Sequence, residues 1–191
     1  MARFGYEDIG IVIVNVDRGV CRFQLTENGS LSQITAYIRP TEIFEDVMAV
    51  IYKDLNGAPG KLMGYTDFYT VPNVGAWYEF AFSPEIKLLP GYYWLGIQAE
   101  APVGFFYDAG VANQLANGSY GMPLPDPFGA PTNYYAYEGS VYADYTALPL
   151  VVNKTMLPSG SRHTDVYANT IYQSYKNTRI VRHITPAPFI K

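Results

Sequence analysis

Cysteine is almost missing from this sequence: Cys21 stands alone in 191 residues. That excludes an intrachain disulfide and any metal site built on two or more thiolates. Histidine is nearly as scarce. His163 and His183 both lie near the C-terminus, and neither has a sequence neighbour that makes it a general base or half of a ligand pair. Charged residues make up only 16% against 49% apolar, which excludes disorder for most of the chain. No apolar run approaches the roughly 18 to 20 residues of a membrane span, so no membrane insertion is expected. "MARFGYEDIG" lacks the apolar core of a signal peptide, so export by the general secretory route is not expected either. There is no Gly-rich phosphate loop, nucleophile elbow or zinc spacing. "DLNGAPG" opens like a calcium loop with Asp54 and Asn56, but the twelfth position falls on Tyr65 where a Glu is needed, so it reads as a turn. No cofactor and no metal are expected, and the carboxylates are too many for sequence alone to single out a catalytic pair. Asp108 and Asp126 flank a long loop, a placement that suits a cation held with the help of backbone carbonyls.

What is present is strand material. The 18 Tyr and 17 Gly point away from a helical bundle. "GVCRFQL" sets Cys21, Phe23 and Leu25 against Arg22 and Gln24, the period of two that suits a half-buried strand, with Cys21 inward and inert. "LSQITAYIR" and "DVMAVIYKD" repeat the habit. "GAWYEFAF" puts Tyr78, Phe80 and Phe82 on one face, and "GYYWLGIQA", "VGFFYD", "YYAYEGSVYADY" and "LPLVVN" follow. Eight or more short strands about ten residues apart, with Gly and Pro between them, predict a two-sheet antiparallel sandwich. The stretch between Asp108 and Asn133 is longer than a connection usually runs. It reads as a lid over one end of the sandwich or as a binding loop.

The series "FQLTENGSLSQITAYI", "VMAVIYKDLNGAPGKLMG", "WYEFAFSPEIKLLPGYYWLGIQ" and "DPFGAP" followed by "VYADYT" resembles a jelly-roll β-sandwich module that recurs in microbial secreted, cell-surface and viral structural proteins. The resemblance covers residues 1–147 and rests on turn and core motifs. It implies an all-β, two-sheet antiparallel jelly-roll-like sandwich with a C-terminal extension. Members of that kind are carriers, adhesive modules or shell components, and the module brings no catalytic residues.

The extension differs in charge. Residues 154–191 hold six Lys and Arg against Asp165, a net +5, whereas residues 1–153 carry −9. The two parts are therefore expected to be a sandwich, 1–153, and a basic arm, 154–191. Nucleic acid is set aside as a partner, because five charges spread over the arm make a weak footprint and the acidic body repels a duplex. Tyr167, Ile171, Tyr172 and Tyr175 fit one side of a short helix opening at Thr164 or Asp165, or a strand. Beyond them Arg179, Ile180, Arg182, Ile184, Phe189 and Ile190 lie on a path that Pro186 and Pro188 force to be extended, long enough at about 50 Å to cross a neighbouring subunit. The competing expectation is a tail folded back on its own sandwich.

These readings lead to a non-enzymatic structural protein of a virus or phage particle: a capsid, decoration or tail component. It would be made in the host cytoplasm, reside in the virion, and join copies of itself or other particle proteins through the arm. The alternative is a carbohydrate-binding or adhesive module in which Trp77, Tyr134, Tyr135 and Tyr137 present a ligand face to glycans, since aromatic faces suit the apolar side of a pyranose.

Overall fold

A chain whose apolar residues recur every second position can bury them only as strands, and among the described residues every regular element is one. The computed structural model describes residues 1–109, 115–131, 133–149, 154–155 and 166–167. They fall into two units, Met1–Pro149 and Leu150–Lys191.

In the first unit the strands are β1 (Ala2–Gly5), β2 (Val12–Leu25), β3 (Gly29–Pro40), β4 (Phe44–Leu55), β5 (Ala58–Tyr65) and β6 (Tyr69–Pro72). They are followed by β7 (Ala76–Leu88), β8 (Gly91–Ala109), β9 (Leu115–Gly118), β10 (Asn133–Tyr135), β11 (Tyr137–Gly139) and β12 (Val141–Ala147). The twelve form one hydrogen-bonded network, and every pairing in it is antiparallel. In the second unit β13 (Lys154–Thr155) pairs with β14 (Val166–Tyr167). Val166 and Tyr167 are thus in a strand rather than the first turn of a helix, and residues 156–165 and 168–191 of the arm lie outside the described ones. The all-β, antiparallel expectation is met. Among the described residues no helix is long and apolar enough to cross a membrane.

The network bends at one place. β2 and β8 pair along most of their lengths, but Val16 faces Val103 while Arg18 faces Gln98, so Asp17 alone is opposite residues 99–102. On either side of this bulge the neighbours change. Residues 93–99 of β8 pair with β4, which also carries β5 and β6, whereas residues 103–105 pair with β3, which carries β7 and β12, and through β12, β1. The two sets share one core. Phe23 and Leu25 of β2, Val47 and Ile51 of β4 and Leu95 and Ile97 of β8 pack with Ile34 and Ile38 of β3, Phe80 of β7 and Val141 of β12.

A second, smaller core lies on the opposite face of β2, β4 and β8. Val20, Met48, Val50, Tyr52 and Trp94 are buried there beneath Leu124 and Phe128 of the segment 119–131. The long loop therefore covers a sheet face instead of capping an end. The bonds that pin it include Phe128 N to Gly60 O at 3.0 Å, Leu62 N to Asp126 Oδ1 at 2.9 Å, Gln98 Nε2 to Gly121 O at 3.2 Å and Tyr120 Oη to Glu100 Oε1 at 3.0 Å. Arg18 is shut beneath it at 5% exposure, with its guanidinium 4.4 Å from the Phe128 ring centre and Nη1 bonded to Gln98 Oε1 at 3.3 Å. Among the described residues no carboxylate forms an ion pair with it, and burial lowers its pKa despite the nearby Tyr52 hydroxyl.

Candidate ligand-binding site

The strand parity that sends Ile38, Val141 and Phe80 inward sends Tyr37, Tyr142 and Trp77 to the outer face of the second set. Tyr37 of β3 and Trp77 of β7 are register partners, and their rings meet edge-on at 5.4 Å. Phe106 of β8 meets Tyr37 at 4.8 Å, and Tyr142 of β12 meets Trp77 at 5.4 Å. All four rings are half-buried and form a belt across β8, β3, β7 and β12. At its end Arg3 of β1 lies 4.5 Å over the Tyr142 ring.

Arg3 is held in place. Its Nε donates to Asp144 Oδ1 at 2.7 Å and its Nη1 to Glu7 Oε2 at 2.8 Å, and these carboxylates raise its pKa further. From Arg3 the surface continues into a cleft of about 540 Å³ lined by residues of β1, β2, β8 and β12, with Thr26 at the end of β2. In the cleft Arg22 stacks 3.8 Å above the Tyr92 ring and donates from Nε to Asp54 Oδ1 at 2.7 Å. Asp54 also accepts from Trp94 Nε1 at 2.9 Å and from Gly57 N at 3.0 Å. Burial pushes the Asp54 carboxyl up, but the bonds from Arg22, Gly57 and Trp94 outweigh it and hold its pKa below the ordinary value. The stability this group adds is present above the ordinary carboxylate range and fades as pH falls through its lowered pKa.

Two guanidiniums here answer three carboxylates, Glu7, Asp54 and Asp144, so the cleft is not an anion well. Tilted aromatic rings, fixed guanidiniums, the Gln24 amide and the Thr26 hydroxyl suit a neutral, hydroxyl-rich ligand with an apolar ring face. Among the described residues no three His, Cys, Asp or Glu side chains converge as a metal site. Asp108 and Asp126 are engaged separately: Asp108 accepts from Tyr6 Oη at 2.7 Å and Ile11 N at 3.0 Å, and Asp126 from Leu62 N. Cys21 is wholly buried, and burial pushes its thiol pKa well up.

Of the aromatic residues singled out from sequence, Trp77 sits in the belt. Tyr137 of β11 is elsewhere, stacked on Tyr107 with ring centres 4.0 Å apart and packed against the main core. Tyr134 and Tyr135 belong to β10, paired with β9, and their side chains lie outside the described ones. Sequence reading passed over Tyr37, Tyr142, Phe106, Arg3 and Arg22. The alternation in "ITAYI" and "VYADY" already marks Tyr37 and Tyr142 as outward-facing, but their meeting with Trp77 depends on register. No protein-family model matches the chain, and neither curated proteins nor solved structures yield a match.

Proposed function

We propose that this chain is a non-enzymatic structural protein of a virus or phage particle, a capsid, decoration or tail component whose copies are joined by the arm at 154–191. The observation that carries this reading is a set of large apolar side chains that the body leaves exposed. Ile11 is 89% exposed, Ile43 75% and Phe44 65%. Ile43 and Phe44 are adjacent in the chain, and exposed apolar side chains that adjoin mark contact surfaces. Connectivity supports the same reading: the long strands β2, β3, β4, β7, β8 and β12 alternate between the two sets, apart from the shared ends of β2 and β8, as in a jelly-roll sandwich. The step from that fold to a particle is by analogy.

The test is solution mass by light scattering for the full chain and for a version stopped at Asn153, at low and high salt. The full chain is expected to assemble, the shortened chain to remain a folded monomer, and high salt to weaken the assembly by screening the +5 arm from the −9 body. Two folded monomers would overturn the arm; a shortened chain that cannot fold would make the tail part of its own body.

The aromatic belt and its adjoining cleft favour a second reading, a glycan-binding or adhesive module. On that reading Trp77→Ala weakens binding of neutral saccharides, measured by calorimetry, at least tenfold, or about 1.4 kcal/mol. Unchanged affinity would remove the belt from consideration.

A further inference from the structure

From residue 9 to residue 16 the chain reads "IGIVIVNV", without a charge. Ile11 is 89% exposed, and Ile9, Ile13 and Val12 lie between 40% and 49%. Residues 12–16 pair with β8 along one side, while β9, on the other side of β2, begins only at Arg18. Among the described residues, the backbone of 12–16 therefore has an open hydrogen-bonding edge. Such edges are ordinarily blunted by charge, proline or a covering element, and an apolar one left bare is a template for another strand.

The ends of this edge are acidic, with Glu7 and Asp8 before it and Asp17 after it. A second copy of the same edge fits badly, because antiparallel pairing centred between residues 12 and 13 sets Asp8 opposite Asp17. The sequence with the complementary sign is "RIVRHI", residues 179–184, in which Arg179 and Arg182 bracket Ile180 and Val181 and Ile184 follows. Pro186 and Pro188 lack the N–H that a ladder needs, which limits the pairing segment to the residues before them. We infer that residues 179–184 of a second copy add as an antiparallel strand to the open edge of β2 at 12–16, with Arg179 set opposite Asp17 at one end of it. This inference rests on the arm reading above and names the surface the arm occupies.

The experiment compares assembly of three full-length variants with the parent by sedimentation and light scattering, with far-ultraviolet circular dichroism to check the fold. Ile11→Lys/Ile13→Lys and Arg179→Glu/Arg182→Glu are each expected to weaken assembly at least a hundredfold. The four-residue combination, which sets the introduced lysines against the introduced glutamates, is expected to recover at least tenfold of that loss. If the isoleucine variant loses its β spectrum, Ile11→Thr/Ile13→Thr, which keeps the branched strand-forming side chains, is measured instead with the same expected loss. An isoleucine variant that assembles like the parent while the chain stopped at Asn153 does not would leave the arm reading standing and overturn this docking site. Arginine reversal without effect, or weakening by both pairs with no recovery in the combination, would also overturn it. If the parent chain is itself monomeric, the arm reading falls and this inference with it.

Discussion

Replacing Trp94 with alanine is expected to lower the free energy of unfolding by about 3–5 kcal/mol, the cost of emptying a buried aromatic site. The indole is wholly buried between the outer face of β4 and β8 and the covering segment that carries Leu124 and Phe128. Its removal opens a cavity under that segment and strips one hydrogen bond from Asp54, which keeps those from Arg22 and Gly57. For a body of this size the midpoint of thermal unfolding should fall by about 10 °C. Trp94→Phe separates the two contributions, because it keeps most of the volume and removes the Nε1 bond to Asp54; about 1 kcal/mol is expected. Urea titration measures both. A loss below 1 kcal/mol for the alanine variant would mean that the segment does not rest on the sheet, and the second core would have to be abandoned.

The other large effect is expected at Gly96, where alanine should cost at least about 3 kcal/mol or prevent folding altogether. Gly96 faces Val20 on β2 and Val50 on β4 in the middle of three paired strands. A Cβ placed there would meet the Gly19 carbonyl oxygen at 1.9 Å and the Val20 Cα at 2.7 Å. Both are backbone atoms of a paired strand, so relief cannot come from turning a side chain; β2 itself must move. Gly121→Ala is the matching control, since no atom lies within 4 Å of its added methyl, and a change within about 0.5 kcal/mol is expected. Equal midpoints for the two variants in thermal melts would show that β2 and β8 are not this close near their bend.

Local pattern carried some of this architecture and not the rest. Cys21, Phe23 and Leu25 point inward as their alternation requires, and Phe80 and Phe82 enter the core with Tyr78 packed beside them. These are statements about one strand's two faces, which a period of two encodes directly. Continuity is different. "GYYWLGIQA" and "VGFFYD" read as two strands, yet they form the single β8, because the ladder runs on through residues that change partners instead of ending. The cover over the second core was visible as a long connection, but its landing site was not: Leu124 and Phe128 sit among Pro123, Pro125, Pro127 and Pro131, where no periodicity shows which way a side chain points. The belt was half legible. Trp77 stood out as a large aromatic, while Arg3, far away in sequence, reaches the same surface only because β1 pairs with β12.

The sharing of β2 and β8 by both strand sets has a mechanical consequence. Two layers held only by apolar contact can be peeled apart, since each small displacement breaks few interactions at a time. Here a force that parts the layers must act through two long strands paired to each other over Val12 to Leu25, and it loads their hydrogen bonds together instead of one after another. Neither layer can be pulled away whole, so the body should yield to tension as a single unit.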